Sequence, residues 1–166
     1  MNLYSGNGDD GTTHILKAGK ISKGDMIIET LGILDEASAS IAMANLSITN
    51  EEISNILTRI LEDLAEIMTD VAGDQGKKPF EKDCLDWMES QIEIFSEGLK
   101  LPKGFIYTYI KESSARLNFA RTIIRKAERR MVALFEKREM NNKEILAYLN
   151  RLSSLIYLLQ IRQEMT

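Results

Sequence analysis

The sequence predicts an all-α protein, a five-helix bundle that follows a glycine-rich N-terminal arm. Apolar residues recur every three or four positions through most of residues 25–166, which is the period of a helix with one buried face. Only two prolines occur in 166 residues, which leaves room for long helices. Residues 1–24 are instead rich in glycine and polar side chains and have no helical period. We therefore expect a single domain, 1–166, in which an arm of residues 1–24 precedes a helical bundle of residues 25–166.

Composition and charge argue against several classes of protein. The net charge of −4 does not favour nucleic-acid binding, and no apolar run approaches the roughly 18 residues of a membrane-spanning helix. Cys84 is the only cysteine and His14 the only histidine, which excludes an internal disulfide and a His/Cys zinc site. The first residues lack the basic and then apolar pattern of a signal peptide. We expect a cytoplasmic protein that binds neither membrane nor nucleic acid.

Three glycines of the arm, Gly6, Gly8 and Gly11, match the spacing of the dinucleotide-binding fingerprint G-x-G-x-x-G. We reject that interpretation because too few residues precede Gly6 for a solid strand, and no amphipathic helix follows Gly11. Two interpretations remain. The segment is a pair of turns built on Asn7-Gly8 and Asp10-Gly11, or it is a loop whose backbone N–H groups face a phosphate.

A phosphate-binding arm would also use side chains. The hydroxyl groups of Thr12 and Thr13 would add hydrogen-bond donors to the backbone N–H groups. Asp9 or Asp10 could hold a hydrated Mg²⁺ ion, because carboxylate oxygens are ligands that magnesium prefers.

The first helix is predicted from about Asp25 to Asn45. Its expected apolar residues are Ile28, Leu31, Leu34, Ile41 and Ala42. Asp35 lies in an otherwise apolar or small stripe of this helix, and no lysine or arginine stands three or four residues away. Its carboxylate either reaches water at the helix edge or pairs with a cation from another segment or another subunit.

The second helix is predicted to begin at a capping box formed by Thr49-Asn50-Glu51-Glu52 and to end at Gly73 to Gly76. A third, shorter helix is predicted from about Glu81 to Ser96. Residues 98–111 contain two glycines and a proline and end in a β-branched and aromatic run. They are predicted to form an ordered loop or extended segment.

The fourth helix is predicted to be capped by Ser113 or Ser114 and to run to about Met140, and the last helix begins at Lys143. The expected buried face of the fourth helix is Leu117, Ala120, Ile124, Ala127, Met131 and Phe135. That of the fifth is Leu149, Leu152, Ile156 and Leu159. Both sets have helical spacing, so both helices should pack into one core.

Arg121, Arg125 and Glu128 form a stripe along one border of the apolar face of the fourth helix. Charges on a half-buried border cost desolvation energy unless each finds a partner. One interpretation is a solvated, salt-bridged helix edge. The other is an anion clamp, because two guanidinium groups one turn apart can fork onto phosphate oxygens.

Five motifs occur along nearly the whole chain in a specific order and spacing. They are Tyr4 with Gly8-Asp9-Asp10-Gly11-Thr12-Thr13, then Lys23, then Asp35-Glu36, then Ala120-Arg121-Thr122 with Arg125-Lys126-Ala127-Glu128-Arg129, and finally Tyr148-Leu149-Asn150-Arg151-Leu152-Ser153. With these motifs the chain resembles the PduO-type ATP:cob(I)alamin adenosyltransferases, apart from a lysine at 126 where the family has arginine. Each motif is modest alone, and the combination is specific.

The resemblance implies a homotrimer that binds ATP between subunits, with Mg²⁺ held mostly through the ATP phosphates. It implies transfer of the 5′-deoxyadenosyl group of ATP to the cobalt of cob(I)alamin, with release of triphosphate. The implied ATP-binding residues, including those of the nucleotide-binding arm 1–24, are Ser5, Gly6, Asn7, Gly8, Thr13, Lys23, Arg125, Glu128, Arg129 and Asn150.

The resemblance also implies which residues serve the cobalamin. Asp35 and Arg121 are expected to pair across the subunit interface, and Phe105 is expected to lie under the corrin and displace its lower axial base. The implied catalytic residues are Arg125, Asp35 and Arg121. Because cobalt itself is the nucleophile, the protein supplies positioning and charge stabilisation of the leaving triphosphate.

Several positions depart from the family pattern. Gly6 and Ile27 stand where the family has basic residues, and Asn118 stands where histidine is common. Residues 107–110 replace a leucine-proline-glycine-glycine sequence. An alternative function is therefore a trimeric bundle that binds ATP or another polyphosphate without adenosylating cobalamin.

Overall fold

The computed structural model describes residues 5–16, 18–73, 80–102, 104, 109–137 and 142–165. Within these ranges the chain forms five helices, α1 (Met26–Asn45), α2 (Glu51–Ala72), α3 (Lys82–Ser96), α4 (Glu112–Lys137) and α5 (Lys143–Met165). Helix α4 packs against α1 and α5, α3 packs against α5, and α2 packs against α1. The predicted bundle of five helices is confirmed.

The arm contains a β-hairpin that the sequence did not predict. Strand β1 (Thr12–Ile15) pairs antiparallel with β2 (Gly19–Ser22), and Thr12 lies opposite Ser22. Each strand has four residues, too few for an alternating pattern to stand out from the surrounding polar sequence. The hairpin brings the glycine loop at residues 5–11 beside Lys23, which follows β2 directly.

Two predicted helix caps are wrong. The side chain of Asn50, not Thr49, caps α2 by accepting a hydrogen bond of 3.0 Å from the backbone N–H of Ile53. Ser113 and Ser114 lie inside α4, which begins at Glu112. They are buried because the C-terminal end of α5 lies against the start of α4, and this contact cannot be inferred from local sequence.

Polar groups of α5 hold the start of α4. Ser113 Oγ donates to Oε1 of Gln163 (3.1 Å), and Ser114 Oγ donates to the carbonyl oxygen of Gln160 (3.2 Å). The backbone N–H of Ile110 donates to Oε1 of Glu164 at 2.7 Å, and this hydrogen bond lowers the pKa of the Glu164 carboxyl. These contacts fix the position of α4 along the bundle.

The predicted buried faces of the last two helices are confirmed. All four residues predicted for α5 and the first five predicted for α4 are fully buried, whereas Phe135 is half-buried. In α1 the prediction is wrong in part, because Ala42 is exposed and Ile28 and Leu31 are only half-buried. The apolar residues that α1 buries are Ile33, Leu34, Ala37, Ile41 and Ala44. Helix α1 packs against both α2 and α4, so its buried surface is wider than one stripe.

A buried carboxylate joins α2 and α5. Asp63 is 1% exposed and accepts hydrogen bonds from Nε of Arg59 and from the hydroxyl group of Tyr148, both at 2.8 Å. Burial and the nearby Asp63 carboxylate raise the pKa of Tyr148 well above its usual value. Burial also raises the pKa of the Cys84 thiol, which lies 3.6 Å from Nη2 of Arg59. Because Arg59 and Tyr148 satisfy Asp63, we assign this cluster a structural role.

Candidate active site

The glycine loop is built from consecutive turns. The N–H of Asp9 donates to the carbonyl oxygen of Gly6 (3.3 Å), and that of Gly11 donates to the carbonyl oxygen of Gly8 (3.1 Å). Gly8 has a φ of +88°, and a Cβ atom there would lie 2.7 Å from the carbonyl oxygen of Thr12. Only glycine fits this position, so the tight turn requires the predicted glycine.

Two lysines stabilise the fold of the arm. Lys20 lies in β2, and Lys23 is the first residue after it. Lys23 Nζ donates to the carbonyl oxygen of Gly8 at 2.9 Å. Lys20 Nζ lies 2.8 Å from Oδ2 of Asp10, whose Oδ1 accepts hydrogen bonds from the N–H and the hydroxyl group of Thr12. The Lys20 contact and the Thr12 contacts lower the pKa of Asp10 to about 2. These contacts favour a structural role for Asp10 over the alternative role in binding Mg²⁺.

The arm leaves its other predicted ligand groups accessible. Ser5, Gly6, Asn7 and the Lys23 side chain are exposed, and Gly8 and Thr13 are half-buried. Ser5 Oγ accepts a hydrogen bond of 3.2 Å from the N–H of Asn7. An accessible loop with ordered turns is suited to receive an anionic group without large rearrangement.

A pocket of about 780 Å³ opens between α3, α4, α5 and the segment before α4. Arg121 and Arg125 both line it, one helical turn apart. Its apolar and aromatic wall includes Leu101, Pro102, Tyr109, Tyr157 and Leu158. The stripe along the border of α4 therefore contributes two guanidinium groups to a concave site, which favours the anion-clamp interpretation.

Arg121 is held within its own chain. Its Nε and Nη2 both donate to Oδ1 of Asn118, at 3.1 and 2.8 Å, and its guanidinium carbon lies 5.9 Å from the centre of the Tyr157 ring. The sequence interpretation missed Asn118 and Tyr157 as site residues. The spacing of three residues on one helix could have indicated that Asn118 contacts Arg121. Tyr157 lies on a different helix, so no sequence spacing could have indicated its contact with Arg121.

The remaining predicted residues of the bundle make few contacts of their own. Among the described residues, the side chains of Arg125, Glu128, Arg129 and Asn150 make no hydrogen bond and no ion pair. Arg125, Arg129 and Asn150 are exposed, and Glu128 is half-buried. Their polar groups are therefore available for a ligand or for a second chain.

One chain does not bring all the predicted residues together. Asp35 is exposed on α1, and its side chain makes no hydrogen bond or ion pair to any described residue, Arg121 included. Its neighbour Glu36 instead pairs with Lys126 of α4 at 2.9 Å. No described residue of the arm lines the pocket or is joined by a hydrogen bond to α4 or α5. Phe105 lies outside the described residues.

A family model described as cobalamin adenosyltransferase matches residues 3–162. The chain belongs to this family. Among proteins of known activity, the corrinoid adenosyltransferase PduO of Salmonella typhimurium is 31% identical over 166 residues, covering 96% of this chain and 48% of that protein. The corrinoid adenosyltransferase of Bacillus subtilis is 30% identical over 163 residues, covering 95% of this chain and 83% of that one. The chain thus spans about half of the Salmonella relative and most of the Bacillus one.

Solved structures agree with this assignment. A phenylalanine-to-alanine variant of a PduO-type ATP:corrinoid adenosyltransferase from Lactobacillus reuteri, complexed with cobalamin and ATP, matches with a TM-score of 0.86 and 26% identity over 99% of this chain and 94% of that one. An arginine-to-lysine variant complexed with ATP matches with a TM-score of 0.88 and 26% identity, over 98% of this chain and 94% of that one. The resemblance inferred from the motifs is confirmed.

Within the described part of this adenosyltransferase-family chain, none of the helices has the length and apolar character needed to cross a membrane.

Proposed function

We propose that the protein is a corrinoid adenosyltransferase that forms adenosylcobalamin from ATP and cob(I)alamin. The observation that carries the proposal is the pair of guanidinium groups, Arg121 and Arg125, on the wall of one pocket in a chain of this family. In the reaction, Co(I) attacks the 5′ carbon of ATP, a cobalt–carbon bond forms, and triphosphate leaves with the electrons of the broken carbon–oxygen bond. Arg125 stabilises the negative charge of that leaving group.

ATP binds between subunits of a homotrimer in this proposal. The arm of one chain supplies Ser5, Gly6, Asn7, Gly8, Thr13 and Lys23, and the neighbouring chain supplies Arg125, Glu128, Arg129 and Asn150. Support comes from two observations on the described residues: no hydrogen bond joins the arm to α4 or α5, and the side chains of Arg125, Glu128, Arg129 and Asn150 make no hydrogen bond or ion pair. Mg²⁺ enters with the ATP phosphates, and the enzyme acts in the cytoplasm.

Lys23 has a distinct role in this arrangement. Its ammonium group lies against the glycine loop, 2.9 Å from the carbonyl oxygen of Gly8, and remains on an exposed surface. The triphosphate would also accept hydrogen bonds from those backbone N–H groups of the loop that its own turns do not use. The arm therefore supplies both a point charge and backbone donors to the phosphates.

The pocket receives the corrinoid. Its volume of about 780 Å³ is large enough for part of a corrinoid, and its wall combines apolar side chains with a few polar groups. Asp35 of one subunit reaches Arg121 of the next beside this pocket. Phe105 belongs to the segment whose flanking residues, Gly104 and Tyr109, line the pocket, which supports the assignment of Phe105 to the corrinoid side.

An anaerobic absorbance assay tests the proposed activity. Purified protein is mixed with chemically reduced cob(I)alamin and MgATP, and formation of the cobalt–carbon bond is followed in the visible spectrum while triphosphate is measured. We expect equal amounts of adenosylcobalamin and triphosphate, and no product when ATP is omitted. Binding of ATP in calorimetry without any spectral change would instead support the alternative, an ATP- or polyphosphate-binding bundle.

The replacement Phe105→Ala tests the corrinoid half of the site. A ring that excludes water and the lower base from cobalt makes Co(II) easier to reduce, so its loss should slow adenosylation that starts from cob(II)alamin. The reaction that starts from cob(I)alamin should change much less, because Co(I) already lacks a lower ligand. ATP affinity and melting temperature should stay close to those of the wild type.

A buried phenylalanine provides the contrast for that experiment. Phe95→Ala removes a core ring on α3 and should lower stability by about 3–5 kcal/mol. If Phe105→Ala also melts early and loses ATP binding, Phe105 is only a packing residue and its role under the corrin is contradicted.

A further inference from the structure

The contact between Asn118 and Arg121 uses one edge of the guanidinium group. Nε and Nη2 of Arg121 lie 3.1 and 2.8 Å from the same oxygen, Oδ1 of Asn118. Arginine has only donors, so the amide of Asn118 must present its oxygen to Arg121 and its NH₂ group to the opposite side. The pair thus has a defined orientation, with Asn118 on the wall of the same pocket.

The Tyr157 ring makes a second contact with the same guanidinium group. The ring centre lies 5.9 Å from the guanidinium carbon, within the range of a cation–π interaction. Asn118 is on α4 and Tyr157 is on α5, so the two restraints come from different helices. A side chain held by hydrogen bonds from one helix and by a ring from another loses rotational freedom before any ligand arrives.

The hydrogen bonds that remain open determine how Arg121 can act. A guanidinium group has five N–H donors, and Asn118 takes the one on Nε and one on Nη2. The two donors on Nη1 and the second donor on Nη2 remain. The second donor on Nη2 and the Nη1 donor that is parallel to it form the end-on edge of the group, which can bind a carboxylate in a forked geometry.

We propose that Asn118 is a positioning residue for Arg121, and that it commits Arg121 to engage its acceptor through the end-on edge, Nη1 and Nη2. The inference rests on the proposed function in that Arg121 serves the corrinoid side of the site. Asn118 acts through Arg121 and reaches neither the triphosphate nor the reacting carbon. Its loss should therefore affect the use of cobalamin more than the binding of ATP.

The test compares Asn118→Ala with Asn118→His at pH 8, where the histidine is neutral. Nδ1 of a neutral histidine occupies the place of Oδ1 of asparagine and can accept a hydrogen bond from Arg121. Asn55→Ala is the matched control, because Asn55 is an exposed asparagine on α2. Each variant is measured for its melting temperature, for kcat and KM with cob(I)alamin, and for KM with ATP.

A second readout follows Arg121 directly. In protein labelled with ¹⁵N-arginine, an Nε–H group that is held by Asn118 exchanges slowly with water and gives a resolved resonance, which Arg121→Lys assigns by its disappearance. We expect Asn118→Ala to lose this resonance and Asn118→His to keep it. Asn55→Ala should leave it unchanged.

The expected kinetic result is a loss of activity towards cob(I)alamin, with the use of ATP unchanged. Asn118→Ala should lower kcat/KM for cob(I)alamin about tenfold, the size expected when a hydrogen bond to a charged group is lost. KM for ATP and the melting temperature should stay near wild-type values, and Asn118→His should recover most of the loss. An unchanged resonance and unchanged kinetics in Asn118→Ala would overturn the inference. The inference would also be overturned if Asn118→Ala lost ATP use and thermal stability as much as it lost the use of cob(I)alamin.

Failure of the proposed function can be told apart from failure of this inference. If the wild type makes no adenosylcobalamin, the proposed function fails, and the Nε resonance still decides whether Asn118 holds Arg121.

Discussion

Replacement of Arg125 by alanine is expected to weaken ATP binding at least tenfold. Arg125 lines the pocket and is exposed, and its side chain makes no hydrogen bond or ion pair within the described part of the chain. Its loss should therefore change binding with little effect on folding. A charge-assisted hydrogen bond to phosphate contributes about 1.5–3 kcal/mol, which corresponds to tenfold or more in affinity. Arg125→Lys should also impair binding, because an ammonium group cannot fork onto two oxygens.

Titration calorimetry with MgATP measures this prediction, with Lys137→Ala as the control. Lys137 is an exposed cation in the last turn of the same helix, so its removal changes the net charge by the same amount outside the site. An equal effect of both replacements would indicate a general electrostatic contribution. An ATP affinity that stays unchanged in Arg125→Ala would contradict the assignment of this residue to the triphosphate.

Asp35→Ala and Arg121→Ala are each expected to weaken the proposed trimer or slow turnover, and their effects should be strongly non-additive. In one chain Asp35 has no partner among the described residues, whereas Arg121 keeps its end-on edge available. Removing one member of a desolvated pair costs roughly 3–5 kcal/mol, and less where water reaches it. The double variant should cost little more than either single one.

A double-mutant cycle on trimer dissociation, measured by sedimentation velocity, isolates the pair. The cycle is needed because Arg121→Ala also removes the contacts with Asn118 and Tyr157, and these losses cancel only in the comparison of single and double variants. Glu36→Ala with Lys126→Ala serves as the reference cycle, since this exposed pair lies within one chain and should contribute about 1 kcal/mol or less. Strict additivity for Asp35 and Arg121 would argue against a direct contact.

The helices and most of their buried faces could be predicted because helical periodicity is a local property. The stripe from Leu117 to Met131 has regular spacing, and all of its members are buried. Helical periodicity wrongly predicted that Ala42 is buried. Helix α1 packs against two helices, and residue spacing alone does not indicate which sides of α1 these neighbours cover. The prediction was also wrong for Ser113 and Ser114, which resemble cap residues in sequence but bond to Gln163 and Gln160 across the bundle.

Motif order and spacing were sufficient to assign the chain to its family, because the combination of residue types at these intervals is specific. They also singled out Arg121 and Arg125, which line one pocket, and the roles of these two residues stay predictions. The pocket itself, and the restraint of Arg121 by Asn118 and Tyr157, became apparent only when α3, α4 and α5 were packed together. The separation of Asp35 and the arm from the pocket within one chain likewise depends on how the helices pack. A linear sequence specifies which side chains lie on one face of each helix, and the packing of those faces decides which side chains meet.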